Sequence, residues 1–154
     1  MKKLLCAACA AAVLLADPAV AARVYNKGLI QLRDPWTRAT PPGAEVAAGY
    51  VEIRNTGKEA DRLVAAWSPA AARVELHVMS RDGGVMKMRE APGFAMPPRK
   101  SFSLKPGGQH LMLIGLKQQL LKGQHIPIML RFERAGEVRL ELEVKASGAG
   151  KPHH

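Results

Sequence analysis

From Ile30 onward, apolar residues recur at every second position in short runs, and Gly, Pro, Asn or Ser interrupts them at near-regular intervals. A period of two belongs to strands with one buried face, because successive side chains leave a strand on opposite sides. The clearest run is EVRLELEV, where Val138, Leu140, Leu142 and Val144 alternate with Glu137, Arg139, Glu141, Glu143 and Lys145. IQLRDPWTRA, VAAGYVEIRN, DRLVAAWS, RVELHVM, GVMKMRE, SFSLKPG, HLMLIGL and HIPIMLRFE read the same way. Turn residues such as Thr40-Pro41-Pro42-Gly43, Thr56-Gly57 and Pro69 separate them, which predicts an antiparallel sandwich or barrel. The strongest helical candidate is LKQQLLKGQ, which Gly123 would stop after two turns. Trp36, Trp67 and Tyr50 are expected in the core. There is no internal repeat and no interior linker.

The N-terminus departs from this pattern. MKKLLCAACAAAVLLADPAVAA carries Lys2 and Lys3, an apolar run short for a membrane span, and small residues at Ala19 and Ala21. It is read as a secretory signal peptide over residues 1–21, cleaved after Ala21. A lipid anchor on Cys6 or Cys9 is the weaker reading: Cys6 leaves almost no apolar run before it, and Cys9 follows another Cys by three positions. Residues 22–145 then form one domain, and 146–154, ASGAGKPHH, a flexible tail.

Both cysteines lie in the leader, so the mature chain is expected to be thiol-free and to depend on its core for stability. A blue-copper site needs a Cys thiolate and thiol–disulfide exchange needs a thiol, so both are excluded. The formal charge is +10; the leader holds two Lys and one Asp, so the mature chain keeps about +9. Nucleic acid is not the expected partner, since no zinc-finger, RNA-binding or helix-turn-helix pattern accompanies the charge. Anionic headgroups or acidic protein surfaces suit it better, and a solvated surface accounts for most of it. Hydrolase elbows, Walker loops, dinucleotide fingerprints, zincin motifs and EF-hand loops are absent from the sequence.

Candidate chemistry gathers in two runs. In ELHVMSRDGGVMKMRE, Asp82-Gly83 is a strong hairpin signal. With those two residues as the loop, Met79 faces Met86 and His77 faces Met88, and all four share one face. A three-residue Asp-Gly-Gly loop would break that direct opposition. In LKPGGQHLMLIGL, His110 and Met112 are two apart and share a face as well. Thioether sulfur is a soft neutral donor suited to Cu(I), and imidazole suits copper and zinc, so two His with two Met point to Cu(I). Taken singly, each Met is a core filler and each His an ordinary strand residue; together they carry the metal reading. His125 is read as structural, and the terminal His153 and His154 as incidental.

The spacing His77, ten residues, Met88, twenty-one residues, His110, one residue, Met112 resembles the H-x10-M-x21-H-x-M signature of the periplasmic copper chaperone family PCu(A)C. GGVMKMRE and LKPGGQHLML are similar to that family too. The resemblance implies a cupredoxin-like antiparallel Greek-key β-sandwich or barrel, with His77, Met88, His110 and Met112 as Cu(I) ligands. It further implies a monomeric, non-enzymatic periplasmic carrier. Its acceptor would be subunit II of cytochrome c oxidase, whose dinuclear copper centre is assembled this way, or a Sco-type thiol chaperone. Met79 and Met86 fall outside the signature and are read as neighbours of the ligands. The competing readings are an exported structural or adhesive sandwich without a metal site, and a copper storage or detoxification protein.

The leader gives the first prediction. Mass spectrometry of the exported protein should show a chain beginning at Ala22 with no titratable thiol. A species that keeps Cys6 or Cys9, with or without a lipid, would overturn the cleavage site.

Overall fold

The computed structural model describes residues 21–150. The expected signal peptide up to Val20, Cys6, Cys9, His153 and His154 lie outside the described residues. Among the described residues there are eleven strands and no helix. They are β1 (Val24–Lys27), β2 (Ile30–Arg38), β3 (Val46–Asn55), β4 (Asp61–Trp67), β5 (Ala71–Asp82) and β6 (Val85–Glu90). After them come β7 (Phe94–Met96), β8 (Ser101–Leu104), β9 (His110–Leu116), β10 (His125–Phe132) and β11 (Gly136–Lys145).

Seven strands close on themselves in the order β2, β11, β10, β4, β5, β9, β3 and back to β2. The remaining four are appended: β1 on β2, β8 on β3, β7 on β4 and β6 on β5. The fold is therefore all-β and barrel-like, with cupredoxin-like Greek-key connections. Every ladder is antiparallel except β11 with β2. Closure depends on a bulge in β2, where the register to β3 shifts between Arg33 and Trp36 and Asp34 takes a positive φ of 46°. Bulges bend a strand and increase its twist. Past the bulge, Trp36 faces Tyr50 on one side and Glu143 on the other, so β2 joins both ends of the sheet.

Outside the wholly exposed β6, the alternation read from the sequence largely reappears as alternation of burial. Leu32, Ile53, Leu63, Leu111, Leu113, Ile128, Leu130, Leu140 and Leu142 are fully buried inside the barrel. Each such side chain contributes about 1.5–3 kcal/mol relative to exposure, which lets the fold stand without a disulfide. Asn55 satisfies its amide within the protein: Nδ2 donates to Glu59 O (2.7 Å) and Met96 O (3.1 Å), and Oδ1 accepts from Gly57 N (2.9 Å).

Two expectations are corrected. LKQQLLKGQ forms no helix: Leu120 is buried in the core and its amide donates to Thr40 Oγ1 at 2.9 Å, while Gln119 Nε2 donates to Thr40 O at 2.9 Å. A two-turn helix is marginal by itself, so burying one leucine and bonding the chain to the loop that follows β2 outweighs propensity. Of the three aromatics placed in the core, only Tyr50 is buried; Trp36 is half-buried against it at 4.6 Å between centroids, and Trp67 is exposed. The start of the tail is held, since Arg38 Nε donates to Ala149 O at 2.7 Å. His125 is exposed and contacts Arg23 at 2.8 and 3.1 Å.

Leu111 lies on β9 between the two candidate ligands and points into the barrel. Leu111→Ala should cost about 2–5 kcal/mol in urea unfolding, the usual range for a buried leucine. Leu121→Ala, at an exposed position, should stay within about 0.5 kcal/mol of the parent. Equal effects at the two positions would show that β9 does not face the core as described.

Candidate metal centre

The hairpin of β5 and β6 is closed by Gly83 and Gly84, with φ of 57° and 84°, and Asp82 pairs with Val85. The loop lies one residue further on than the Asp82-Gly83 turn expected from sequence. A type I′ turn needs positive φ at both central residues, which two glycines supply without a Cβ penalty. Asp82 stays in the strand and accepts from Lys87 Nζ at 2.8 Å. The correction changes partners but not faces. Moving the loop by one residue shifts each pairing by two, and the side-chain period is also two. Met79 therefore faces Met88, His77 faces Glu90, and Met86 faces Arg81. Met88 is diagonal to His77, not directly opposite it.

On its other edge β5 pairs with β9, and there His77 faces His110 while Glu75 faces Met112. The four predicted ligands are thus brought to one face of the three strands β6, β5 and β9. The two imidazoles lie 5.8 Å apart between centroids, tilted by 57°. Leu76, Leu111 and Leu113 of the same strands turn inward, so this face is the outside of the barrel. Depth nevertheless differs sharply along it: His110 is 4% exposed, Met112 half-buried and Met88 45% exposed. Ala48 of β3 lies beside Met112.

Hydrogen bonds assign the free nitrogen on each ring. A backbone carbonyl only accepts, so the 2.9 Å contact of His110 Nδ1 with Gly108 O makes Nδ1 the N–H and leaves the lone pair of the neutral ring on Nε2. Glu75 Oε2 lies 2.8 Å from His77 Nε2, which makes that nitrogen the donor. The lone pair of the neutral ring is then on Nδ1, which is buried and has no hydrogen-bond partner. A buried polar atom left without a partner costs about 1–3 kcal/mol, so this nitrogen is poised for a ligand. Arrangements in which a carboxylate or carbonyl holds the far nitrogen of an imidazole orient histidines for metals.

Arg73 Nε reaches Glu75 Oε1 at 2.7 Å. That bond, and then the bond to His77, hold the Glu75 carboxyl below the usual carboxylate range. A depressed carboxylate contributes its stabilisation above the ordinary carboxylate range and loses it as pH falls through the depressed value. The support to His77 therefore persists on mild acidification. Glu75 and the Gly108 carbonyl were not identified from sequence. Glu75 had a signal, lying two residues before His77 on the same strand face; the loop carbonyl had none.

The donor set fits a soft ion. Among the described residues, no three His, Cys, Asp or Glu side chains come together as a metal-binding group, so metal binding on this face would draw on thioether sulfur. The four residues present, two neutral imidazoles and two thioethers, suit Cu(I). A cleft of about 560 Å³ elsewhere, lined by Leu29, Asn55, Lys58, Arg99 and Arg134 among others, contains none of the His or Met residues.

Ring tautomers provide the test of this geometry. Nitrogen-resolved NMR of the metal-free protein at neutral pH should find His110 protonated on Nδ1 and His77 on Nε2. Glu75→Gln should remove the preference at His77 and leave His110 as it was. The opposite tautomers in the parent would refute the assignment of the free nitrogens.

Comparison with known proteins agrees with this architecture. Residues 30–144 match the family model described as "LpqE-like: Putative lipoprotein LpqE-like". A curated relative, "Putative lipoprotein Lxx21020" of Leifsonia xyli subsp. xyli (strain CTCB07), is 36% identical over 124 residues, covering 79% of this chain and 74% of the relative. Among solved structures, the copper-bound PCuAC domain from PmoF2 superposes with a TM-score of 0.71 at 27% identity, covering 80% of this chain and 98% of that domain. The apo PCuAC domain from PmoF1 gives 0.70 at 28%, with 80% and 99% covered. The solution structure of CuI-DR1885 from Deinococcus radiodurans gives 0.60 at 29%, with 72% and 74% covered.

Proposed function

We propose, for a chain that belongs to the LpqE-like family of PCuAC-type domains, that it binds one Cu(I) through His77, Met88, His110 and Met112 and passes it to an acceptor. The observation that carries the proposal is the pairing of His77 with His110, with Nδ1 of His77 buried and unpartnered and Met88 and Met112 at diagonal register positions on the adjoining strands. The copper-bound and Cu(I) relatives with the same fold support copper as the metal.

The four side chains carry no negative charge, so they hold Cu(I) without a thiolate. An acceptor with two Cys thiolates offers a deeper site, and copper runs downhill to it. A Sco-type thiol chaperone and subunit II of cytochrome c oxidase are acceptors of that chemistry. Carriage is proposed rather than catalysis: two thioethers favour the reduced ion and suit holding it more than cycling it. Export is supported by the leader and by the lipoprotein names of the family and of the Leifsonia relative. The proposed location is the periplasm.

The test is a Cu(I) competition titration of the mature chain against a chromogenic chelator. One tight equivalent is expected in the parent, weakened about a hundredfold or more in Met88→Ala and His110→Ala, at or beyond the range seen when groups supporting a metal site are lost. Binding indifferent to both substitutions, or no tight equivalent, would leave an exported sandwich without a metal site. Retention of copper against an apo dithiol acceptor would instead indicate storage.

A further inference from the structure

The hairpin carries three methionines, Met79 and Met86 outside the proposed four-residue set and Met88 within it, and the placement of the two on β6 is unusual for the residue type. Met is among the side chains most often buried. Met96 follows that rule at 1% exposure, but Met86 is 47% exposed and Met88 45%, on a strand exposed along its whole length. Burial would stabilise each by about 1.5–3 kcal/mol, so packing does not account for their position. Their register is specific. Met79 directly faces Met88, Met86 is two residues from Met88 on the same strand, and all three share the face that carries His77. Opposed Cβ atoms lie about 4.5–5.5 Å apart and diagonal ones about 7–8 Å, distances that long, flexible thioethers can close. Lys87 and Arg89 turn to the other face, where Lys87 bonds Asp82 and Arg89 Nη2 donates to Ser80 Oγ at 3.1 Å.

We propose that Met79, Met86 and Met88 form a second, outer site for a soft monovalent ion, Cu(I) or Ag(I), sharing Met88 with the inner site. This rests on the copper reading above only for its physiological meaning, because the three thioethers are a soft-ion donor set in their own right. The outer site is the shallower of the two: it has no imidazole, it is open to water, and Arg81 stands opposite Met86 as a fixed cation. Its place on the exposed hairpin, next along β5 from the His77–His110 pair toward the tip, makes it a station through which the ion enters and leaves. Since Met88 belongs to both sites, rotation of one side chain moves the ion between them by ligand exchange, with no change in oxidation state.

The experiment uses Ag(I), which is redox-inert, and the mature chain labelled with 13C at the methionine methyls. The parent is compared with Met79→Leu/Met86→Leu, a volume-conserving pair of changes at non-core positions, and with His110→Ala. In the parent, the Met88 and Met112 methyls should shift over the first equivalent, and the Met79 and Met86 methyls over the second. The Met79→Leu/Met86→Leu variant should keep the first equivalent at unchanged affinity, weaken the second about tenfold or more, and slow transfer to a thiol chelator. In His110→Ala, the Met79, Met86 and Met88 methyls should still move together, so the outer site is read even if the inner one fails. Methyls of Met79 and Met86 that stay fixed through two equivalents would overturn the proposal. A second equivalent that persists in Met79→Leu/Met86→Leu, carried by histidines elsewhere, would also overturn it.

Discussion

The candidate site depends on the register of one strand against its two neighbours. β5 pairs with β6 on one edge and β9 on the other, and the pairings of His77 with Glu90 and of His77 with His110 fix where every soft donor lies. A one-residue slip of β5 against β9 would turn His77 inward and set Leu76 or Val78 beside His110 on the outer face. The slip is opposed by the core, because the buried Leu76 of β5, and Val78 packed against the core beside it, would leave the interior. The same hydrophobic alternation that stabilises the barrel therefore aligns the donors.

Depth then separates the roles of the donors. His110 is almost wholly buried and tied by its far nitrogen to a loop carbonyl; His77 is tied to a carboxylate that Arg73 in turn holds. Met88 has no such restraint and stands on an exposed strand at the edge of the sheet. Buried imidazoles, a half-buried Met112 and an exposed Met88 make the candidate site graded in depth, an arrangement that would suit the proposed carriage: selectivity where water is excluded, exchange where a partner can reach. The pair Met79 and Met86 extends that gradient to the tip of the hairpin.

Nine of the eleven described strands were legible from period-two alternation among their own neighbours, whereas β1 and β7, four and three residues long, were too short to show the period and were missed. The four candidate ligands were legible for the same reason, since same-face membership survives any even shift of register. What failed was local. The Asp82-Gly83 loop was displaced by a residue because two adjacent glycines satisfy a type I′ turn better than Asp and Gly. LKQQLLKGQ was displaced from helix because Leu120 found a place in the core that its own segment does not reveal.

The sequence by itself determined the all-β character, the inner and outer faces of most strands, and the shared face of the candidate donors, because these follow from composition and a two-residue period. Only the tertiary structure decided that β5 lies between β6 and β9, that Glu75 and the Gly108 carbonyl orient the two rings, and that Met88 faces Met79 rather than His77 across the hairpin. Those outcomes depend on strand order, loop closure and burial, which couple residues far apart in the chain.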